Sequence, residues 1–314
     1  MSENLTEILK STGMHLNGEV VPRELDDTIK FNCKRCGKCC SGRNDIIVNA
    51  YDVYRIAKKL NIKTKDVVEN YCEVHHGNNS GLPIVTLKED ERGLCPFLKF
   101  FLEEGKFGCS INDSKPGVCI MHPIGVARSI DKTTDEINTS FLEVPSCEVH
   151  GTDVEVKVRD FIKPYLDNKD CHDAGAMLLF EALKYIDANK FIKAFIEQDE
   201  NYLKENFSEE VISRIPPTDS MLVKASYMTY MTTVINAVYG FDVNRDFMEQ
   251  IPEAKAKIKE CCLKMIVTFK TLELDFSSGK LTEDNEKEMD EIAKEFEKAF
   301  DEFMETVNEG ESDD

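Results

Sequence analysis

The sequence Cys33-Lys34-Arg35-Cys36-Gly37-Lys38-Cys39-Cys40 places four thiols within eight residues. Cys33 and Cys36 have the separation at which a tight turn directs two thiolates at one ion, and Gly37 tolerates the positive φ that such a turn needs. Cys39 repeats the spacing, and Cys40 adds a fourth thiol. Adjacent side chains diverge, so we expect Cys39 and Cys40 to serve two sites, or one of them to be a spare or bridging thiol. The pattern predicts a metal cluster or paired site; a disulfide knot and reduced thiols without a metal are the alternatives.

The composition of the whole chain limits its partners. With 314 residues, 41% of them hydrophobic, the chain is long enough for two domains with a real core. Its formal net charge of -20 would repel nucleic acid and anionic membrane surfaces over most of the protein. We therefore expect no nucleic acid and no membrane as partner, and a basic or lysine-bearing protein instead. The sequence leaves the oligomeric state open.

The cysteine content indicates a reducing compartment. Met1 to Lys10 contain no apolar core of signal-peptide length, and no apolar run of the sequence is long enough to span a bilayer. We therefore expect a cytoplasmic protein whose thiols are reduced. Twelve cysteines in that setting are better explained by metal or redox chemistry than by disulfides.

Basic residues surround the cysteine loop although the chain as a whole is acidic. They are Lys34, Arg35, Lys38 and Arg43. A site of four thiolates remains negative after it binds a divalent metal or an iron–sulfur cluster, and nearby cations offset that charge and help to keep the thiols ionised. A solvated basic turn is the alternative interpretation.

Local patterns predict short elements on both sides of this loop. Residues 1–30 read as a polar lead-in arm. Ile46 to Val48 read as a strand, after which Asn49 caps a helix, and a second helix runs from Thr64 to about Cys72. A polar loop then follows that contains Cys72, His75 and His76. These residues could bind metal; alternatively, Cys72 is a buried thiol and the two histidines are surface imidazoles.

From Leu82 to Val144 the pattern becomes β-like. Ile124 to Ile130 and Ile137 to Phe141 read as the two arms of a hairpin. Three cysteines of this region lie beside a turn or a strand end, where ligands that are distant in sequence converge: Cys95, Cys109 and Cys119. Cys147 closes the region.

Further motifs accompany these cysteines: Cys95-Pro96-Phe97-Leu98, Cys109-Ser110-Ile111, and Lys115-Pro116 before Cys119. With CxxCxxCC, they resemble the YkgJ-type cysteine-cluster family over residues 31–150. The resemblance implies a zinc- or iron-chelating set of eight cysteines, namely Cys33, Cys36, Cys39, Cys40, Cys95, Cys109, Cys119 and Cys147. His122 is either a further ligand or a group next to one.

Beyond Gly151 the pattern becomes helical. Thr152 and Glu155 form a capping-box signature at the start of a helix, and further helices are predicted at about 189–204, 208–215, 219–240 and 249–273. Residues 281–314 read as an acidic amphipathic helix. The cysteines of this half have no ligand spacing and read as structural free thiols: Cys171, Cys261 and Cys262.

The predicted fold class is α+β, with a small Cys-rich metal-binding N-terminal domain followed by an all-helical C-terminal domain. The predicted domains are the arm at 1–30, the metal-binding domain at 31–150 and the acidic helical domain at 151–314.

Three functions fit this sequence. The Cys39-Cys40 doublet, the basic surround and the all-thiolate ligand set favour an iron–sulfur cluster such as 4Fe-4S over zinc, with a redox or electron-transfer role. The resemblance extends to flagellin lysine N-methylases, which implies methyl transfer from S-adenosylmethionine to a lysine, although the chain lacks a glycine-rich Rossmann fingerprint. A structural zinc module for protein interaction is the third possibility.

Overall fold

The structure is a computed structural model that describes residues 20–77, 81–130, 137–144, 151–217, 219–270 and 273–310. It mixes helix (52%) with strand (18%), as an α+β prediction requires. The strands of the described residues precede most of the helices. They are β1 Val21–Arg23, β2 Thr28–Asn32, β3 Cys72–His76, β4 Pro83–Leu87, β5 Leu98–Phe101, β6 Lys106–Cys109, β7 Ile124–Ile130, β8 Ile137–Glu143 and β9 Gly151–Lys157.

The α-helices of the described residues are α1 Ala50–Leu60, α2 Thr64–Tyr71, α3 Gly117–Met121, α4 Val158–Phe161, α5 Lys163–Leu166, α6 Lys169–Glu181, α7 Ala188–Phe191, α8 Glu200–Asn206, α9 Glu209–Arg214, α10 Met221–Tyr239, α11 Ile251–Lys270 and α12 Glu283–Gly310. Short 3-10 turns occur at Lys38–Cys40, Asn112–Ser114, Ala182–Lys184 and Met248–Gln250, and a wider π-helical segment at Ile192–Glu197. No helix among the described residues is both long and apolar enough to cross a bilayer.

The chain forms two compact units. The first takes its described residues from 20–75, 84–177 and 241–250, and the second from 76–83, 178–240 and 251–310. The first unit continues beyond residue 150 to Met177 and includes a later segment. All seven described cysteines of the predicted ligand set belong to the first unit.

Small antiparallel sheets build the first unit. β7 and β8 form the predicted hairpin, with Val126 opposite Phe141, and β1 adds to the other edge of β8. β2 pairs with β9, with Ile29 opposite Val156. The described part of the predicted lead-in arm therefore contributes β1 and the start of β2 to these sheets.

β9 also corrects the helix that was predicted to begin at Thr152. Val154 and Val156 alternate with Asp153 and Glu155, the period of a strand. Glu155 forms an ion pair with Lys30 on β2, with 3.2 Å between Oε1 and Nζ, instead of capping a helix. The helical pattern begins only at Val158, where α4 starts.

A hydrophobic core joins these strands to the helices that follow them. It comprises Ile29, Phe31, Met121, Ile124, Phe141, Val158, Ile162 and Tyr165. The rings of Phe31 and Phe161 meet edge to face, 5.3 Å apart. Because Met121 ends α3 inside this core, the apolar side of the unit anchors the short helix that carries Cys119.

α1 begins as predicted. The Asn49 side chain accepts a hydrogen bond from the backbone N–H of Asp52 at 3.0 Å, and the Asp52 carboxylate accepts one from the N–H of Asn49 at 3.1 Å. This reciprocal capping box satisfies two backbone donors at the start of the helix.

The second unit is helical. α10 packs against α11, and α12 packs against α11. α12 confirms the predicted C-terminal helix between residues 283 and 310. The helix predicted at about 189–204 is instead broken, because Gln198 adopts a positive φ of 52° and Asp199 caps α8.

Candidate metal centre

The loop of four cysteines folds as a tight turn. Gly37 has a φ of 80°, as its position in the motif predicts, and the backbone then closes into the 3-10 turn Lys38–Cys40. The Cys40 N–H donates to the Gly37 carbonyl at 3.0 Å, and the Ser41 hydroxyl donates to the same oxygen at 3.0 Å. The turn brings Cys39 and Cys40 to the half-buried side of the loop.

Backbone hydrogen bonds hold Cys95 beside this turn. The Cys95 N–H donates to the Cys40 carbonyl at 2.8 Å, and the Gly42 N–H donates to the Gly93 carbonyl at 2.9 Å. Ser41 forms an isolated antiparallel bridge with Leu94. A residue 55 positions later in the sequence thus lies next to the Cys39-Cys40 doublet.

The hairpin of β5 and β6 places Cys109 near Cys95. Leu98 faces Cys109 in the antiparallel register, and the Leu98 N–H donates to the Cys95 carbonyl at 3.0 Å. Both cysteines therefore lie at the same end of the hairpin. Their predicted positions, next to a strand end, are confirmed.

Cys119 lies in the short helix α3, which begins directly after Lys115-Pro116. Its N–H donates to the Pro116 carbonyl at 2.9 Å. The sequence predicts a turn or a strand end beside this residue, and the structure has a single turn of helix there.

Cys39 and Cys40 do not diverge as the sequence suggested. Their Sγ atoms lie 3.9 Å apart, within hydrogen-bond distance for sulfur. The bond from Cys40 lowers the pKa of Cys39 to about 6, against the opposing effect of burial, and the charges of Arg43 and Lys115 lower it further. The same bond, together with burial, raises the pKa of Cys40. The hydrogen bond thus favours the thiolate form of Cys39 and the thiol form of Cys40.

Cys39 is also linked to the other thiols of the region. Burial raises the pKa of each of Cys95, Cys109 and Cys119, and the negative charge of Cys39 contributes to the rise in all three. The structure therefore brings together five of the predicted ligands in one electrostatic cluster, which we call the thiol cluster: Cys39, Cys40, Cys95, Cys109 and Cys119.

Arg43 is the basic residue of the loop whose charge acts on this cluster. Its positive charge interacts favourably with the thiolate charges of Cys39 and Cys119. The Arg43 Nε–H donates a hydrogen bond to Oδ1 of Asp45 at 2.6 Å. Lys115, which sequence reasoning did not include among the basic residues of the site, acts on Cys39 and Cys109. Lys34 instead pairs with Asp153 at 3.4 Å. Only part of the predicted basic surround is thus directed at the thiols.

Two predicted ligands of the loop are less closely associated. Cys33 is exposed and Cys36 is half-buried. Neither takes part in the Cys39–Cys40 hydrogen bond or in the charge interactions of Cys39 with Cys95, Cys109 and Cys119. The third remaining ligand, Cys147, lies outside the described residues.

The residues of undecided role have other surroundings. Cys72 begins strand β3 instead of a polar loop, and its burial raises the pKa of the thiol to about 12, as suits a structural thiol. His75 is exposed. The His122 ring meets the ring of Phe31 edge-on, with centroids 6.3 Å apart.

The thiols of the described residues are not arranged as a finished metal cage. Within residues 20–77, 81–130 and the other described ranges, no group of three or more His, Cys, Asp or Glu side chains has a geometry that could hold a metal ion. A metal at the thiol cluster therefore requires these side chains to draw closer together.

A buried carboxylate and a buried imidazole lie behind Cys119. The Nδ1 atom of His172 lies 3.5 Å from Oδ1 of Asp52, and both side chains are almost fully buried. Burial raises the pKa of Asp52 to about 6 and lowers that of His172 to about 3, so the imidazole is neutral at pH 7 and the contact is not an ion pair. Sequence reasoning missed this pair, and the one local signal that could have found a member of it is the capping-box spacing of Asn49 and Asp52.

Comparison with known proteins supports metal binding. Residues 32–141 match the model of the CxxCxxCC family, described as "Putative zinc- or iron-chelating domain". This segment contains the whole thiol cluster and agrees with the resemblance found in the sequence. The relation to flagellin lysine methylases is not confirmed. Neither the curated proteins nor the solved structures gave a significant match to the chain.

Proposed function

We propose that the first unit binds zinc or iron through thiolates of the thiol cluster, with Cys39 at its centre. The observation that carries this function is that Cys39 interacts with each of the other four thiols. Thiolates are the soft donors that select zinc and iron–sulfur centres over magnesium or calcium.

The doublet fits an edge of a single-ion site. Four thiolates placed tetrahedrally at about 2.3 Å from a zinc ion have neighbouring sulfurs about 3.8 Å apart. The Sγ atoms of Cys39 and Cys40 are 3.9 Å apart. Two ligands can therefore come from the doublet, and the other two from among Cys95, Cys109 and Cys119.

The charges around the cluster suit a site that stays negative. Four thiolates and one divalent ion carry a net charge of about -2, which nearby cations offset. Arg43 and Lys115 are the cations whose charges stabilise the Cys39 thiolate. The proton on Cys40 must leave when the metal binds, so binding is coupled to deprotonation.

An iron–sulfur cluster is the second candidate, and the all-thiolate ligand set favours it. The thiol cluster has five members, and the sequence predicts Cys33, Cys36 and Cys147 as further ligands. A 4Fe-4S cluster takes four cysteine thiolates, as a tetrahedral zinc ion does, so eight cysteines would supply two such sites or one site with further thiols beside it. An iron–sulfur cluster would also supply the one-electron chemistry of a redox component.

Methyl transfer is not part of this proposal. A lysine-bearing substrate and S-adenosylmethionine follow from the sequence resemblance alone, and no feature of the described residues given above identifies a site for either. A structural zinc ion, by contrast, would need only the thiol cluster, and its binding would contribute folding free energy to the unit.

Metal analysis after anaerobic purification tests the function. We expect zinc or iron bound to the chain in a fixed ratio of metal to protein. Zinc without acid-labile sulfide, in a colourless protein, would exclude the cluster and the redox role. Iron with sulfide, and a visible spectrum that bleaches on reduction, would establish the cluster. A protein that binds neither metal would overturn the proposal.

Two serine variants test the assignment of the ligands. Cys39→Ser should lose the metal, because it removes the thiolate that is linked to all the others. Cys261→Ser is the matched control, since Cys261 lies on α11 in the second unit, and it should retain the wild-type metal content. Cys36→Ser is also expected to lose metal if the predicted ligand set extends to the start of the loop. Equal losses from Cys39→Ser and Cys261→Ser would contradict the division of the thiols.

A further inference from the structure

We propose that Asp52 is a positioning residue for Cys119: it fixes the first turn of α3 and thereby sets where the Cys119 thiolate meets the metal, a role that rests on the proposed function. Asp52 lies on α1, 67 positions before Cys119 in the sequence. Its carboxylate Oδ1 accepts a hydrogen bond from the N–H of Gly117 at 2.9 Å, two residues before Cys119.

One face of α1 holds the whole segment that leads into α3. Arg55 donates to the Asp113 carbonyl at 2.7 Å and to the Lys115 carbonyl at 3.2 Å. Lys59 pairs with the Asp113 carboxylate at 2.7 Å. With Asp52, these residues stand three and four positions apart, the spacing that places side chains on the same face of a helix. The path of the chain into Cys119 is therefore set by α1.

Asp52 differs from the other two because it is buried. Its exposed fraction is 1%, whereas Lys59 is exposed. A buried carboxylate is costly unless its oxygens are hydrogen-bonded, and here Oδ2 accepts the Asn49 N–H while Oδ1 accepts the Gly117 N–H. The same side chain thus joins the start of α1 to the start of α3.

His172 supports this arrangement from behind. A Cβ atom at Gly117 would lie 3.0 Å from both Cε1 and Nδ1 of its ring, so α3 begins in direct contact with the imidazole. The ring of Tyr165 stacks on the imidazole at 4.6 Å, and that of Tyr51 meets it edge-on at 4.9 Å. Neither ring nitrogen of His172 has a hydrogen-bond partner among the described residues. The imidazole therefore supports the start of α3 by packing contact and not by hydrogen bonds.

The charge of Asp52 cannot be its contribution to the metal site. A carboxylate near a thiolate destabilises the thiolate, since like charges repel. A residue selected to activate Cys119 electrostatically would be a cation. What Asp52 provides is a fixed position for the backbone of α3, as groups that orient metal ligands generally do.

Cobalt(II) binding provides the test, followed by the thiolate-to-cobalt absorption band. We expect Asp52→Ala to weaken cobalt affinity about 10- to 100-fold relative to wild type. Asp66→Ala is the matched control, because the Asp66 carboxylate likewise accepts the backbone N–H of the residue that precedes its helix, Lys63, at 3.2 Å at the start of α2. It should bind cobalt as wild type does. Equal affinities for the two variants would overturn the role of Asp52.

A double-mutant cycle shows whether Asp52 acts through Cys119. In a Cys119→Ser background, the Asp52 substitution should add little to the loss of affinity, because the ligand that it positions is gone. Full additivity of the two losses would contradict the proposal. If Asp52→Ala does not fold, as judged by circular dichroism, the cycle is run with Asp52→Asn, which keeps the shape of the side chain but can accept only one of the two hydrogen bonds.

Wild-type binding separates this test from that of the proposed function. If the wild-type protein binds no cobalt through sulfur, both the proposed function and the role of Asp52 fail. If wild type binds and Asp52→Ala matches Asp66→Ala, the metal site stands and only the role of Asp52 fails.

Discussion

The Sγ atoms of Cys39 and Cys40 lie 3.9 Å apart, and the hydrogen bond between them lowers the pKa of Cys39 and raises that of Cys40. Consecutive side chains point to opposite sides of a strand, but in a 3-10 turn they are only about 120° apart. The turn Lys38–Cys40 therefore allows adjacent thiols to face the same point. A doublet that seemed to require two sites can serve one.

Cys39 should be the first thiol of the metal-free protein to be alkylated. Because the hydrogen bond from Cys40 lowers the pKa of Cys39 to about 6, the rate at Cys39 should rise up to about pH 6 and level off by pH 7. Cys72 and Cys262, whose burial raises their pKa to about 12, should react slowly throughout. Iodoacetamide labelling read by mass spectrometry at several pH values measures this order.

Removal of the hydrogen-bond donor is the control for this order. Cys40→Ala should move the midpoint of Cys39 labelling to a higher pH, whereas Cys261→Ala should leave it unchanged. A midpoint for Cys39 near that of an ordinary thiol in the wild-type protein would contradict the lowered pKa of Cys39.

Gly117→Ala should destabilise the first unit. Alanine ordinarily favours a helix over glycine by about 1 kcal/mol, but here its Cβ would lie 3.0 Å from the fully buried ring of His172. Overpacking of this kind costs about 1–3 kcal/mol in the free energy of unfolding. Urea unfolding followed by circular dichroism measures it. Gly279→Ala, where nothing lies within 4 Å of the new Cβ, should change stability little, and an equal loss at both sites would refute the close contact.

Asp52 and His172 should make nearly cancelling contributions to the pH dependence of stability. Between about pH 4 and pH 6 the folded chain carries a proton on Asp52, whose pKa is raised to about 6. The unfolded chain carries one on His172, whose folded pKa is lowered to about 3. Both states then bind the same number of protons at this pair, so its net contribution is flat.

Asp52→Asn removes the compensating group. The depressed pKa of His172 then makes stability fall as the pH falls, and between about pH 6 and pH 4 it falls by ~1.4 kcal/mol per pH unit relative to wild type. Urea unfolding of both proteins at several pH values, with a chelator present, gives the difference. Parallel pH profiles for the variant and the wild type would show that Asp52 does not carry the compensating proton in the folded protein.

Secondary-structure elements that depend on short-range sequence patterns could be predicted from the sequence. The cap at Asn49, the hairpin of β7 and β8, and the helix α12 each depend on residues a few positions apart, and all three are confirmed. At β9 two local patterns compete: Thr152 and Glu155 have the spacing of a capping box, whereas Val154 and Val156 alternate with charged residues as in a strand. The pairing with β2, more than 100 residues earlier, decides for the strand.

For the candidate site, the identity of the cysteines could be predicted, but their grouping in space could not. The motif identified the cysteines, because their spacing is local, but it could not show which of them converge. The grouping depends on backbone contacts such as Cys40 to Cys95 and on the geometry of a single turn. The bond between Asp52 and Gly117 joins residues 65 positions apart and carries no signature that a single sequence can reveal.

X-ray absorption at the metal edge of the anaerobically purified protein tests the central claim most directly. A single ion at the thiol cluster should show about four sulfur neighbours at about 2.3 Å, and Cys39→Ser should remove them while Cys261→Ser does not. An additional shell of iron neighbours would identify the cluster form of the same site. A metal surrounded by oxygen and nitrogen alone, or sulfur neighbours unchanged in Cys39→Ser, would contradict the proposal that Cys39 is at the centre of the site.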